Sequence, residues 1–143
     1  MKFEKINIAI VSGLFNKDMC RLVTPPSISE IENHSKSLPF PLSEDHIDLL
    51  KQWGGSSLDE IRINSLERVE FENGFISFAN NYNGFIFKYD RLGNVYLEDT
   101  DGGDVKQLAV SIVDFIDNVF LGKNCVKLYG DEWLDELKSH KLV

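Results

Sequence analysis

The densest group of ionisable side chains in the sequence is an acidic stretch whose carboxylates are Glu98, Asp99, Asp101 and Asp104. Their near-alternate spacing invites comparison with a calcium-binding loop. An EF-hand needs an oxygen ligand at its fifth position, glycine at the sixth and glutamate at the twelfth. Counted from Asp99, those positions hold Gly103, Asp104 and Val110. The spacing therefore argues against a metal site and predicts an exposed, acidic turn.

The other residues with catalytic potential are scattered along the chain. The three histidines, His34, His46 and His140, belong to no His-Glu-x-x-His motif, and the sequence contains no Cys-x-x-Cys or Gly-x-Ser-x-Gly. Cys20 and Cys125 have no metal-ligand spacing with the histidines, which predicts two reduced thiols. The position of His46 beside the apolar side of a predicted helix favours a partly buried structural histidine. The sequence thus predicts no catalytic residue, no metal and no cofactor.

The charge balance restricts the classes of partner. The sequence has 23 acidic and 15 basic side chains, and its formal net charge is -8. Nucleic acid is a poor ligand for such a protein, because binding a polyanion requires clustered Lys and Arg. An acidic surface instead suits a basic protein partner.

Length and apolar content indicate one ordinary domain over residues 1–143. No apolar run is long enough for a membrane span, so we expect a soluble protein without a membrane partner. Because both cysteines are predicted to remain reduced, a cytoplasmic location is expected.

Two helices separated by a proline corner are the most clearly specified part of the sequence. Ser27 and Glu30 have the spacing of a capping box, so the first helix is predicted to begin directly after Ser27. Pro39 and Pro41 end it, because proline lacks a backbone donor and restricts the residue before it. Ser43 is the next favourable cap, and paired glycines end the second helix. The apolar side of that helix consists of Ile47, Leu49, Leu50 and Trp53.

Residues 1–26 allow two interpretations. Their apolar positions fit a helical stripe of Phe3, Ile6, Ile10 and Leu14, and they also fit an alternating strand of Ile6, Ile8 and Ile10. We favour the helix, although the periodicity alone does not decide between them.

The chain after the paired glycines changes to a β pattern. Short runs rich in Phe, Ile, Tyr and Val are Leu58 to Ile63, Phe75 to Ala79, Phe85 to Tyr89 and Val95 to Leu97. Asn, Asp and Gly residues join the last three runs, which is typical of tight hairpins. In the third run, Phe85, Phe87 and Tyr89 are predicted to face helices while Lys88 faces solvent.

Helices are again predicted near the end of the chain. Ser111 and Asp114 suit a helix start, and Gly122 suits its end. A helix-spaced apolar stripe is formed by Leu108, Ile112, Phe115, Ile116, Val119 and Phe120. A last helix is predicted from Asp131. The expected fold is therefore α+β, with an antiparallel meander of four or more strands and helices from both ends of the chain packed against it.

Several of these segments together resemble the SUKH superfamily, which includes yeast cell-wall synthesis regulators and bacterial immunity proteins. Its members have an acidic first helix, a Leu-Pro pair, a second helix that ends near Gly-Gly, and a later Ala-x-Ser-hydrophobic segment. The matching pieces are Ile31-Glu32, Leu38-Pro39, Leu50 to Gly55 and Ala109 to Ile116. The resemblance extends over residues 27–121 and describes the whole chain as a single SUKH-like domain.

The resemblance implies binding without catalysis. Bacterial members commonly neutralise a cognate polymorphic toxin, often a nuclease, by occluding its active site. Combined with the charge of -8, this gives the expectation of a basic toxin domain bound by Glu98, Asp99, Asp101 and Asp104. Two alternatives stay open at this point, namely a scaffold or regulator of cell-wall synthesis and an unrecognised small hydrolase. The identity of the toxin and the oligomeric state are not specified by the sequence.

Overall fold

The computed structural model describes residues 2–143 and has the predicted α+β fold, with helices from both ends of the chain packed against one antiparallel sheet. The α-helices are α1 (Glu4–Ser12), α2 (Ile28–Lys36), α3 (Glu44–Trp53), α4 (Ile112–Asp114), α5 (Val126–Tyr129) and α6 (Asp131–Ser139). The strands are β1 (Cys20–Arg21), β2 (Ser57–Leu58), β3 (Ile61–Ile63), β4 (Phe71–Glu72), β5 (Phe75–Asn80), β6 (Phe85–Tyr89), β7 (Val95–Asp99) and β8 (Val105–Ala109). In the described part of the chain, no helix is long and apolar enough to cross a membrane.

The sheet is the predicted meander, but it has more strands than the predicted minimum. Its order is β1-β2-β3-β5-β6-β7-β8, and β4 pairs with β5. The run predicted from Leu58 to Ile63 is two strands, β2 and β3, because Asp59 adopts a φ of 61° and turns the chain. The pairing of β1 with β2 and of β8 with β7 was not predicted.

Helices α2 and α3 begin at the predicted residues. Ser27 and Glu30 form the capping box, since each side chain accepts a hydrogen bond from the backbone N–H of the other, at 3.2 and 3.1 Å. The Ser43 hydroxyl accepts from the His46 backbone N–H at 3.2 Å. Gly54 ends α3 at a point that has no room for a side chain, since a Cβ there would lie 2.9 Å from the Leu50 carbonyl oxygen. Helix α1 confirms the interpretation favoured for the N-terminal residues.

The late helix differs from a regular α-helix. Ser111 caps it as predicted, by accepting the Asp114 backbone N–H at 3.0 Å. After α4, residues Phe115–Phe120 form a π-helix. It ends tightly at Gly122, where a Cβ would lie 2.3 Å from the Asp117 carbonyl oxygen.

The predicted stripe on this late helix is partly wrong. Leu108 belongs to strand β8 instead of the helix, whereas the other members of the stripe are buried: Ile112, Phe115, Ile116, Val119 and Phe120. The π-helix is tied to α1, because the Lys5 ammonium donates to the Asp117 carbonyl oxygen at 2.7 Å.

Replacing Trp53 by alanine should lower the free energy of unfolding by roughly 3 to 5 kcal/mol, the usual loss on deleting a buried aromatic side chain. Trp53 is 5% exposed and meets the edge of Phe3 with ring centroids 6.2 Å apart. Denaturant unfolding measures the loss, and Tyr82→Ala is a suitable control because Tyr82 is 50% exposed. Equal stability of the two variants would contradict the core role of Trp53.

Replacing Ser111 or Asp114 by alanine should each cost about 1 kcal/mol of stability, because each removes a capping hydrogen bond. The Asp114 carboxylate accepts the Val110 backbone N–H at 3.1 Å. Ser65→Ala provides a matched control, since Ser65 precedes the short 3-10 helix Leu66–Arg68 but its hydroxyl makes no capping bond. Thermal melts of the three variants compare the effects, and a loss of the same size for Ser65→Ala would refute the capping explanation.

Candidate functional site

The helices leave one face of the sheet uncovered. On β6, Phe87 and Tyr89 are buried towards the helices as predicted, and the alternating side chains of Ile86 and Lys88 point to the other face. That second face, called the open face below, carries Phe75, Ser77, Asn80, Ile86, Lys88, Tyr96 and Glu98. Because it is not filled by core packing, it is the surface of the sheet on which recognition residues can sit.

One row of opposed residues crosses the open face from edge to edge. In strand order, the row is Arg21, Ser57, Arg62, Asn80, Ile86, Glu98 and Val105. Neighbouring strands are about 4.8 Å apart, so Arg62 and Glu98 are separated by roughly 14 Å. The basic members thus lie towards the β1 edge and the acidic member towards the β8 edge.

The prediction that Lys88 faces solvent is wrong, since this residue is only 7% exposed. Its ammonium forms an ion pair with Glu98 on the neighbouring strand and lies 4.4 Å from the centroid of the Phe75 ring. Phe75 in turn meets the edge of Tyr96, with centroids 5.0 Å apart. Lys88 is therefore on the predicted face but is covered by neighbours from the two adjacent strands, β5 and β7.

The structure brings the four sequence-predicted carboxylates together on the β7–β8 hairpin, in two different environments. Glu98 is half-buried and paired with Lys88, so its charge is largely neutralised. Asp99 ends β7 and is partly exposed, and Asp101 and Asp104 are exposed in the turn. The expectation of exposed charge is thus wrong for Glu98, because a cross-strand cation partner covers it.

The acidic turn is held by its own hydrogen bonds. The Asp99 carboxylate accepts the Asp101 backbone N–H at 3.0 Å, and the Asp99 carbonyl oxygen accepts from Gly103 at 2.6 Å. The Thr100 hydroxyl donates to the Gly84 carbonyl oxygen at 2.7 Å, which fixes the turn to the neighbouring hairpin. Within residues 2–143, no three His, Cys, Asp or Glu side chains are placed to hold a metal ion. The hairpin instead presents three carboxylates at fixed positions.

His46 is buried without exposed area. Its Nδ1 lies 2.8 Å from the Tyr89 hydroxyl, and burial, with a smaller contribution from the charge of His34, lowers the pKa of His46 to about 3. Its Nε2 has no hydrogen-bond partner among the described residues. A neutral ring enclosed by the core has no access to substrate, so His46 is structural as the sequence predicts, although it is more deeply buried than expected.

His140 has neighbours of the types found in hydrolases. Its Nδ1 is 3.0 Å from the Ser12 hydroxyl, and its Nε2 is 3.8 Å from the Glu136 carboxylate. Ser12 is exposed on the surface. The Glu136 distance is too long for a hydrogen bond. The Glu136 carboxylate therefore does not orient the His140 ring in the way that the third member of a catalytic triad does.

A cavity of about 630 Å³ lies between β8 and the segment around α5. Its basic lining residues are Lys106, Lys123 and Lys127. The described residues that line it include no His, Cys, Asp or Glu, so they supply no carboxylate or imidazole for general acid–base catalysis.

No family model matches the sequence, and no curated protein matches it. The resemblance to the SUKH superfamily therefore stays a prediction from the four quoted segments.

Stability should fall between pH 7 and pH 5.5 in a way that depends on His46. The folded state holds this ring neutral, whereas the unfolded chain protonates it near its ordinary pKa of 6.5. The unfolded state therefore binds more protons as the pH falls, and the wild type should lose about 1 kcal/mol across this interval through His46 alone. Denaturant unfolding at both pH values measures the loss.

The His46→Gln variant should not show the loss of stability between pH 7 and pH 5.5 that His46 causes, whatever its stability at pH 7. The interval stops at pH 5.5 because burial raises the pKa values of Asp59 and Glu60, and these carboxyls oppose the effect at lower pH. An identical pH dependence in wild type and His46→Gln would refute the assignment.

Proposed function

We propose that this protein is a non-catalytic binding module that neutralises a basic toxin domain, in the manner of the bacterial immunity proteins it resembles. The observation that carries the proposal is the β7–β8 hairpin, which offers the carboxylates of Asp99, Asp101 and Asp104 from a hydrogen-bonded turn. We propose that it acts in the cytoplasm. There its free thiols Cys20 and Cys125, of which Cys125 is buried, remain reduced.

The chemistry of a nuclease explains why carboxylates suit an inhibitor. A nuclease presents Lys and Arg side chains to the phosphates of its substrate. Carboxylates placed at similar positions engage the same cations and exclude the substrate. Because the turn is already ordered, little conformational entropy is lost when its charges meet the partner.

Glu98 has a different role in this proposal. Its ion pair with Lys88 holds the end of β7 against β6, so it positions the hairpin and contributes little free charge. Three exposed or partly exposed aspartates are then the residues that attract the partner. Electrostatic attraction of this kind acts mainly on the association rate and weakens as salt is added.

Changing Asp99, Asp101 and Asp104 to asparagine should slow association with the basic toxin domain by about tenfold or more at low salt. Asparagine keeps the side-chain acceptor that orders the turn, so the change removes charge with little change of shape. The experiment is co-expression with the toxin encoded beside this protein, followed by stopped-flow association kinetics over a salt series.

A charge-matched control is Asp18→Asn, Glu32→Gln and Asp135→Asn, which removes three exposed carboxylates away from the hairpin. The control should leave the association rate within about twofold of wild type, because distant charges are screened. Neutralisation of the toxin with equal effects of the two triple variants would refute the hairpin as the binding surface. Failure of the wild type to bind or to protect cells would refute immunity towards that toxin.

A further inference from the structure

Three of the four arginines of this acidic protein lie around one shallow cavity. Arg21 and Arg62 stand opposite Ser57 from the two neighbouring strands, so they flank it on the open face of the sheet. Arg68 reaches the same cavity from the 3-10 helix that follows β3. The cavity measures about 290 Å³, and its remaining lining residues are Val23, Gly55, Ser57 and Ser65.

The three guanidinium groups are without a counter-charge in the structure. Among residues 2–143, none of them forms an ion pair or donates a side-chain hydrogen bond, and no carboxylate lines the cavity. Glu70 lines the neighbouring cavity together with Arg68 but does not pair with it. Like charges that lie close together repel one another. In a protein with eight excess negative charges, an anionic ligand would supply the counter-charge that this group lacks.

The cavity also contains hydrogen-bonding groups that the fold leaves unused. The Ser57 and Ser65 hydroxyls make no side-chain hydrogen bond in the described chain, and Ser65 does not cap the helix it precedes. Gly55 leaves the base of the cavity free of a side chain. A Cβ there would lie 3.2 Å from Val23 and 3.6 Å from Ser65. Its φ of +86° also disfavours a side chain.

Arg62 is held in an orientation that suits anion binding. Its guanidinium lies over the ring of Tyr82, 5.6 Å from the centroid. Stacking of this kind uses the face of the planar guanidinium and leaves its N–H edge free. That edge matches two oxygens of a carboxylate or phosphate.

The number of cations selects between these two anions. A carboxylate supplies one charge and two oxygens, whereas a phosphate monoester supplies a charge of about -1.5 to -2 and three acceptor oxygens. Three guanidinium groups and two hydroxyls around a small cavity match the higher charge and the larger number of acceptor oxygens of the phosphate monoester. An extended polyanion is disfavoured, because its other phosphates would meet a protein with eight excess negative charges.

We propose that Arg21, Arg62 and Arg68, with the hydroxyls of Ser57 and Ser65, bind a phosphate monoester. Arg62 supplies the oriented pair of donors, and the more exposed Arg21 and Arg68 close on the phosphate from either side. This site is separate from the acidic hairpin and does not depend on the proposed toxin binding.

The test is NMR titration of the full-length ¹⁵N-labelled protein with inorganic phosphate, with a phosphoserine peptide and with the same peptide carrying glutamate instead, all at constant ionic strength. Amide shifts should concentrate at residues 21, 55–57, 62 and 65–68. Arg62→Gln should weaken phosphate binding by about tenfold or more, since it removes a charge-assisted pair of hydrogen bonds. Arg62→Lys should also weaken it, because lysine keeps the charge but loses the fork.

Arg91→Gln is the matched control, because it removes the fourth arginine. Arg91 belongs to the β6–β7 turn, and its guanidinium lies over the ring of Phe40. It should leave binding unchanged. Arg21→Gln and Arg68→Gln repeat the test at exposed positions, and thermal melts verify that every variant is folded.

The two phosphate probes distinguish the source of the ligand. Tighter binding of the phosphoserine peptide than of inorganic phosphate supports a protein-borne phosphate, and equal binding supports a free phosphorylated molecule. Three results would overturn the proposal: no shifts with millimolar phosphate, the same affinity for Arg91→Gln and Arg62→Gln, or equal binding of the glutamate peptide and the phosphoserine peptide.

Discussion

The packing of α3 over the sheet depends on the hydrogen bonds of the Tyr89 hydroxyl. It lies in the interior, where it accepts the Ser43 backbone N–H at 3.3 Å and meets Nδ1 of His46 at 2.8 Å. Burial raises the pKa of Tyr89 to about 12 and lowers that of His46, so both groups stay neutral in the physiological range. The start of α3 is thereby fixed to the end of β6. Phe78 and Phe115 then pack around this junction, with centroids 5.8 Å apart.

Fixing helices to one face of the sheet determines what the other face can do. Side chains alternate along a strand, so the residue before Tyr89 must point away from the helices. That residue is Lys88, and its pairing with Glu98 and Phe75 is a way to place a long cationic side chain on an uncovered sheet. Stability therefore comes mainly from one face. The other face can carry charged side chains without disturbing the core.

The sequence predicts those parts of the fold whose signals are local. Ser27 and Ser43 mark helix starts by capping, and the turn residues around the acidic hairpin bring its carboxylates together. Strand β8 was not predicted, because it is an exposed edge strand without a continuous apolar pattern. Its polar residues Lys106 and Gln107 resemble part of a turn. The ion pair of Lys88 with Glu98 could not be predicted from local sequence either, since Glu98 lies on another strand.

The arginine group shows the same limit for a candidate site. Arg21, Arg62 and Arg68 are spread over three separate elements, and no motif connects them. Only the strand order β1-β2-β3 places the first two on either side of Ser57. Cross-strand register is a property of the whole sheet, so a site built on it cannot be found from spacing along the chain.

Opposite charges towards the two edges of the sheet also constrain how one partner can dock. Under the proposed function, a basic domain is attracted by Asp99, Asp101 and Asp104 and repelled by the arginines near the β1 edge. Attraction at one side and repulsion at the other favour a single orientation, which improves discrimination as well as encounter. A phosphate bound by the arginines would neutralise the repulsive side. The two ligands would then assist each other's binding through charge alone, without any change in the backbone.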